Sequence, residues 1–273
     1  MSKKPTGSII YWIRSDLRLN DNIALWEAAK SNKDLIVIYI KDLTTGPLQI
    51  KSAADIWTNK SLLELSARYK KLFKLHLNVY NQDYNTVLKS LYKETKFSHL
   101  YINNTYDPEI DAIDNSINEE FGSLFKINSY NSSLLFNPNE ILNNAGSFFK
   151  VYTPFWKNAL NKLNLREPLP LPNIKYVYQK EILSLKNIAI SDVDEKWGKK
   201  ILLYFNPGEV SAREMLGKTS TNIKGYSEGR DFPIKNNTSQ LSPYIARGEL
   251  SVNEIFYLMR KNKKKININD YAK

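Results

Sequence analysis

Cysteine is absent from the 273 residues, which excludes disulfides and thiolate metal sites and fits a reducing compartment such as the cytoplasm. Histidine is almost absent. His76 and His99 are the only two, each alone in a strand-like run, so both read as structural and zinc or thiol chemistry is disfavoured. No apolar stretch approaches the roughly 18 residues that suggest a membrane span. The basic opening MSKKPTGSIIYWIR is interrupted by Arg14, with Asp16 close behind, before it resembles a signal peptide. No internal repeat is visible.

A hydrophobic content of 42% with 12% aromatics is enough to bury true cores, and the length suits two modest domains. The net charge of +11 favours a polyanionic partner. The abundance of Lys, Asn and Ile together equally fits a coding bias, so charge alone leaves nucleic-acid binding open. The Lys261–Lys265 run reads as a solvated helix end.

Apolar runs alternate with helical periodicity through the first half. Strands are predicted at Ser8–Arg14, Leu35–Ile40, Leu75–Val79, His99–Ile102 and Phe125–Ser129. Helices are predicted at Ile23–Ser31, Ala53–Phe73, Tyr84–Thr95 and Pro108–Phe121. This alternation argues for βαβ units and a parallel, doubly wound α/β sheet. After Asn131 the pattern changes. Residues 132–150 are loop-like, Val151–Leu163 suits a helix, and Arg166–Lys175 holds three prolines that bar a helix interior. Beyond Asp192 the chain reads as helix and loop, with helices at Val193–Phe205 and Gly208–Leu216 and two more near the end. The predicted division is an α/β domain at 1–131, a linker at 132–192 and a helical unit at 193–273.

Ala212–Thr219 satisfies a relaxed phosphate-loop pattern, but no strand precedes it and the segment reads as helix, so nucleotide binding there is disfavoured. Asp107, Glu109, Asp111 and Asp114 flank a helix start, where negative charge suits the dipole better than it suggests a metal. A second cluster lies at Thr238-Ser239-Gln240-Leu241-Ser242-Pro243. Ser242 reads as an N-cap and Pro243 as the first helical residue, with an end near Gly248 and a capping box from Ser251 to Glu254. Hydroxyls ahead of a helix can hold an anion; their spacing alone favours plain capping.

The string Tyr226-Ser-Glu-Gly-Arg230-Asp231-Phe232-Pro233, followed by Thr238-Ser239-x-Leu241-Ser242-Pro243-Tyr244-x-x-x-Gly248-x-Leu250-Ser251, resembles the flavin-binding signature of the photolyase/cryptochrome family. Trp12-x-Arg14-x-Asp16-Leu17-Arg18-Leu19-x-Asp21-Asn22 resembles that family's opening strand and loop, and Val151–Phe155 its interdomain segment. The resemblance runs in order over essentially the whole chain. It implies a Rossmann-like domain followed by the beginning of an all-α FAD-binding domain. Tyr226, Thr238, Ser239, Gln240, Leu241 and Ser242 would then contact FAD, although Gln240 replaces a residue that is often basic. Arg230 would touch damaged DNA; a salt bridge to Asp231 is its alternative role. Arg14, Asp16, Arg18 and Asp21 would fix the loop through a buried charged network.

Tyr101–Ile110 is similar to the family's antenna-site loop, but Glu109-Ile110 stands where folate-binding relatives carry Asn-Glu, so no second chromophore is assigned. No conventional catalytic residue is expected, because in this family the excited reduced flavin supplies the electron. The resemblance ends at Asn269–Lys273, ahead of the family's remaining helices. The expectation is therefore a front portion, truncated, frameshifted or split, that alone binds FAD weakly or not at all and repairs no DNA by itself. A separate chain would supply the missing helices. The implied activity is repair of cyclobutane pyrimidine dimers; a cryptochrome-like photoreceptor or a non-catalytic remnant are the alternatives.

Overall fold

The computed structural model describes residues 7–41, 52–178, 196–222, 226–232, 234–235 and 237–261. Pro233, residues 179–195, the Lys261–Lys265 run beyond its first residue, and Asn269–Lys273 lie outside the described residues.

Five strands form one parallel sheet: β1 (Ser8–Ile13), β2 (Asp34–Ile40), β3 (Leu77–Tyr80), β4 (His99–Asn103) and β5 (Lys126–Tyr130), in the order β3-β2-β1-β4-β5. β1 is central, pairing Ile10 with Ile36 on one side and with Leu100 on the other. Its six residues are all buried, as a strand covered on both faces requires. The period of two sorts them into two cores. Ile9, Tyr11 and Ile13 pack with Leu25, Leu62 and Tyr69 on one face; Ile10 and Trp12 pack with Val87, Leu91 and Phe121 on the other.

The helices supplying those layers are α1 (Ile23–Lys30), α2 (Ala53–Phe73), α3 (Tyr84–Thr95) and α4 (Pro108–Phe121). Each begins where a side chain takes up a free amide: Asn22, Ser52, Asp83 and Asp107 accept from Leu25, Asp55, Thr86 and Glu109. Element type agrees with the sequence reading throughout this half. The largest boundary change is at β3, which starts at Leu77 because Lys74 ends α2 in a left-handed conformation.

The chain then runs through a single 3-10 turn (Pro138–Glu140), a bridge from Leu142 to Phe148, and α5 (Tyr152–Lys162). The proline-rich stretch 166–175 carries no helix or strand, as expected. The remaining helices are α6 (Lys196–Tyr204), α7 (Glu209–Asn222), α8 (Tyr226–Gly229), α9 (Ser242–Ala246) and α10 (Val252–Lys261). They build a third core from Ala212, Leu216, Leu241, Tyr244, Leu250, Ile255 and Met259 around Trp57, which comes from α2. One ring therefore ties the sheet's own helix to the helical segment.

Three expectations change here. α7 continues through Gly217, because Ala212, Leu216 and Thr219 lie buried along one face and packing outweighs the glycine. The four-residue α8 was not anticipated. Ser242 does not cap α9: Leu241 is the N-cap, with no side-chain cap bond, and Ser242 is already helical. Leu241 is wholly buried in the third core, and its anchored side chain sets where that helix begins.

Candidate functional site

The loop between β1 and α1, residues 14–22, organises everything around it. Asp16 accepts from Tyr11 Oη, from the Arg14 amide at 2.8 Å and from Asn103 Nδ2 at 2.6 Å. Asn22 donates to Tyr11 Oη at 2.6 Å and to the Arg18 carbonyl at 3.0 Å. Burial, then the Asp16 carboxylate, push the Tyr11 hydroxyl well above its ordinary value, so it serves as a fixed donor. Arg18 is 2% exposed, and its guanidinium donates to the Gly248 carbonyl at 2.9 Å, to Ser132 O and Oγ at 2.7 Å each, and to the Asp21 carbonyl at 3.1 Å. Asp21 accepts from Arg166 and from the Leu169 amide at 2.9 Å. The expected buried network is present. Arg14 alone departs from it, lying 4.4 Å from the Trp12 ring centroid and forking onto Asp114.

This loop is also the joint to the helical segment. The Leu17 amide donates to Arg247 O at 3.2 Å. Glu209, at the start of α7, accepts from the Leu19 and Asn20 amides at 2.8 and 2.9 Å and from Arg68. Gly248 follows α9 with φ +62, so close to the loop that a Cβ there would lie 2.0 Å from Ser15 O. Only glycine fits both the conformation and the space.

The joint presents the turn 238–242. Gln240 adopts φ +54 and Leu241 follows in the right-handed region. A left-handed residue followed by a right-handed one turns successive amide N–H groups into one concavity, an anion-binding nest. Ser239 Oγ accepts from the Leu241 amide at 3.4 Å, and Thr219 of α7 donates to Ser239 O at 3.2 Å. Thr238 and Ser242 are exposed, and no hydrogen bond within the described residues engages their hydroxyls. With only five residues, α9 contributes little dipole.

Of the other residues singled out from sequence, Arg230 sits 5.9 Å from the Tyr226 ring and 3.6 Å from the exposed carboxylate of Asp231. Gly229, between them, packs so tightly on Asn237 that a Cβ would meet its side-chain nitrogen at 2.1 Å. α8 is thereby held against the residue preceding Thr238. The relaxed phosphate-loop segment lies wholly within α7. Asp107 caps α4 as expected, while Asp114 serves Arg14. His99 contacts Ser98 and Lys33 within β4, and His76 is exposed just before β3.

Sequence reasoning missed two glutamates. Glu209 anchors the loop, and Glu249 accepts from Trp57 Nε1 at 3.0 Å, from Ser61 Oγ and from the Gly208 amide at 2.9 Å. Their partners on α2 and the loop are far away in sequence, so no local pattern reveals them. A cavity of about 400 Å³ opens at the carboxyl ends of β1, β2 and β4, lined by Trp12, Arg14, Tyr39, Tyr84, Thr105 and Ile245. It borders the β1–β4 crossover, the switch point where ligands gather on such sheets.

The family model described as DNA photolyase matches residues 9–173. The deoxyribodipyrimidine photo-lyase of Agrobacterium fabrum is 31% identical over 273 residues, covering 98% of this chain and 56% of that protein. Cryptochrome-1 of Arabidopsis thaliana is 26% identical, covering 93% of this chain and 38% of its own length. The crystal structure of a class III photolyase from Agrobacterium tumefaciens superposes with a TM-score of 0.89 at 30% identity, covering 99% of this chain and 56% of that one. The chain thus spans about half the length of these photolyases.

Proposed function

The chain belongs to the DNA photolyase family, and on that premise we propose that it is the front portion of a light-driven flavoprotein that repairs cyclobutane pyrimidine dimers. The turn 238–242 carries this reading. Its residues fit the diphosphate of FAD: the Gln240–Leu241 turn curls successive amides toward one concavity, where Ser239 Oγ now holds that of Leu241, and among the described residues the Thr238 and Ser242 hydroxyls have no hydrogen bond. Leu241 acts through its backbone, since its side chain is buried. When bound, reduced FAD supplies, on excitation, the electron that splits the dimer. The protein's part is to hold the diphosphate, to set Tyr226 beside it, and to direct Arg230 at the DNA backbone. The Arg230–Asp231 pair is long and solvent-exposed, so a phosphate can displace the aspartate at little cost.

The helical segment exposes Trp197, Leu203 and Tyr204, the last at 81%. We assign that face to further helices, supplied by a separate chain, which enclose the flavin ring; the division at 1–131, 132–192 and 193–273 belongs to the same reading. Among the described residues no helix is long and apolar enough to cross a membrane, and cytoplasmic residence is part of the proposal. A second flat conjugated chromophore suits the 400 Å³ cavity, where Trp12 and Tyr84 lie 5.9 Å apart and Thr105 Oγ1 has no hydrogen-bond partner among the described residues.

The cryptochrome match, of nearly equal extent along this chain, supports a photoreceptor as the second reading. The test is light-dependent loss of dimers from an oligonucleotide. The chain is given reduced FAD with and without a polypeptide carrying the helices that the Agrobacterium relative has beyond the matched region. Repair reading: reversal only in light and only with both chains. Flavin binding without reversal supports the photoreceptor instead.

A further inference from the structure

The joint between sheet and helices carries a carboxyl group that its surroundings do not neutralise. Glu249 is fully buried. One of its oxygens, Oε1, takes all three donors: Trp57 Nε1, Ser61 Oγ and the Gly208 amide. The other, Oε2, is buried with no hydrogen-bond partner among the described residues. A carboxylate in that position leaves a charged oxygen without a donor, whereas a carboxylic acid places its proton there.

The neighbours add to the imbalance. On α2, Glu64 lies against the Gly208 backbone, where a Cβ would meet its side chain at 3.1 to 3.3 Å, and its Oε2 also has no hydrogen-bond partner among the described residues. On α7, Glu209 is 1% exposed. Three carboxyl groups thus gather where α2 meets the start of α7; among the described residues their one ion-pair partner is Arg68, which pairs with Glu209 and stands 3.7 Å from Glu64, while the Leu19 and Asn20 amides also donate to Glu209. From α9, Tyr244 faces Glu249, and its hydroxyl is raised by burial and then by that glutamate. From α10, Glu254 is paired with Arg213 at 2.7 Å. The Arg18 guanidinium is spent on carbonyl oxygens, including that of the adjacent Gly248, and on the Ser132 hydroxyl.

We propose that Glu249 is a proton-operated latch: protonated, it holds the helical segment on α2, and its ionisation loosens that docking. Burial raises its carboxyl to about 7; the donors from Ser61, Trp57 and Gly208 oppose the shift and the Glu64 charge adds to it. The docked state therefore keeps a proton that a solvated glutamate loses near 4.5. Stabilisation from this proton is complete below 4.5 and is lost as pH rises through about 7. Trp57 and Leu241 share one core, so the latch reaches the turn 238–242 through packed side chains. It does not depend on what that turn binds.

The Trp57 indole N–H reports directly on its acceptor. In the full chain with ¹⁵N-labelled tryptophan, and with the peak assigned by Trp57→Phe, the Trp57 resonance is expected to titrate with a midpoint near pH 7. Glu249→Gln removes the titration. Glu64→Gln, a change at a half-buried position, moves the midpoint down. Amide protection factors in α7, corrected for intrinsic exchange, fall about tenfold between pH 6 and 8 in the wild type and stay level in Glu249→Gln. A Trp57 resonance unchanged from pH 5.5 to 8.5, or one titrating alike in Glu249→Gln, overturns the proposal. Should Glu249→Gln fail to fold, the wild-type titration and the Glu64→Gln shift decide alone.

Discussion

Arg18 donates a hydrogen bond to the carbonyl oxygen of Gly248 at 2.9 Å, across 230 residues of sequence. That contact joins the first loop of the sheet to the turn beyond α9, and the flanking contacts at Leu17, Leu19 and Asn20 make it a continuous seam. The seam gives the conspicuous charges of the opening loop a structural role. They position the helices rather than react.

Replacing Arg18 with Met removes one buried donor group and leaves acceptors at Gly248, Ser132 and Asp21 unsatisfied. The expected loss is about 3–5 kcal/mol in a urea titration followed by tryptophan fluorescence. Arg18→Lys is expected to recover less than half of it, since one ammonium cannot reproduce the planar fork.

Gly248→Ala tests the close approach itself. Its Cβ would collide with Ser15 O and come within 2.8 Å of the Asp16 Cα, so the loop or the helix must move. The expected cost is about 2–4 kcal/mol, with faster amide exchange in α10 than in β1. Equal protection of α10 in Gly248→Ala and the wild type would show that the seam tolerates the insertion.

How far the sequence carried this picture depends on the range of the forces. α2 was legible to its ends because its helical apolar periodicity is local. The buried runs at Ile9–Ile13 and Leu35–Ile40 signalled a covered parallel sheet. Its order was not legible, because pairing β1 with β4 is a long-range choice. Glu209 and Glu249 were missed for the same reason: Ser61 and Glu249 are 188 residues apart. Ser242 was misread as a cap because capping residues are common there, while burial of Leu241 decides the turn instead. The cluster of hydroxyls was legible; the left-handed Gln240 that shapes it was not, since nothing in glutamine favours that conformation.

Asp21 gives the joint an acid limit. Burial pushes its carboxyl up, but bonds from Ser251, the Leu169 amide and Arg166 outweigh this and bring it below the ordinary 3.8. The stabilisation it provides is complete above 3.8 and is lost as pH falls through its lowered value. Asp21→Asn is therefore expected to melt lower than the wild type at pH 7, with the gap closing on acidification below 3.8. A gap independent of pH would assign the effect to shape and not to charge.

Gln240→Gly keeps every amide of the nest and relieves the left-handed conformation. The expected result is a gain of about 0.5–1 kcal/mol in stability with unchanged FAD affinity. Gln240→Val, which resists φ +54, is expected to lose stability and weaken FAD binding together. The pair separates the backbone's role from that of the side chain.

The most direct test is a backbone-amide titration of the full chain with ADP, FAD and riboflavin, read by NMR. ADP and FAD are expected to shift the amides of Ser239 to Ser242 and of Tyr226, and riboflavin, which has no diphosphate, to leave them in place. Shifts confined to residues lining the cavity beside Trp12, or no shift at millimolar ADP, would contradict this expectation.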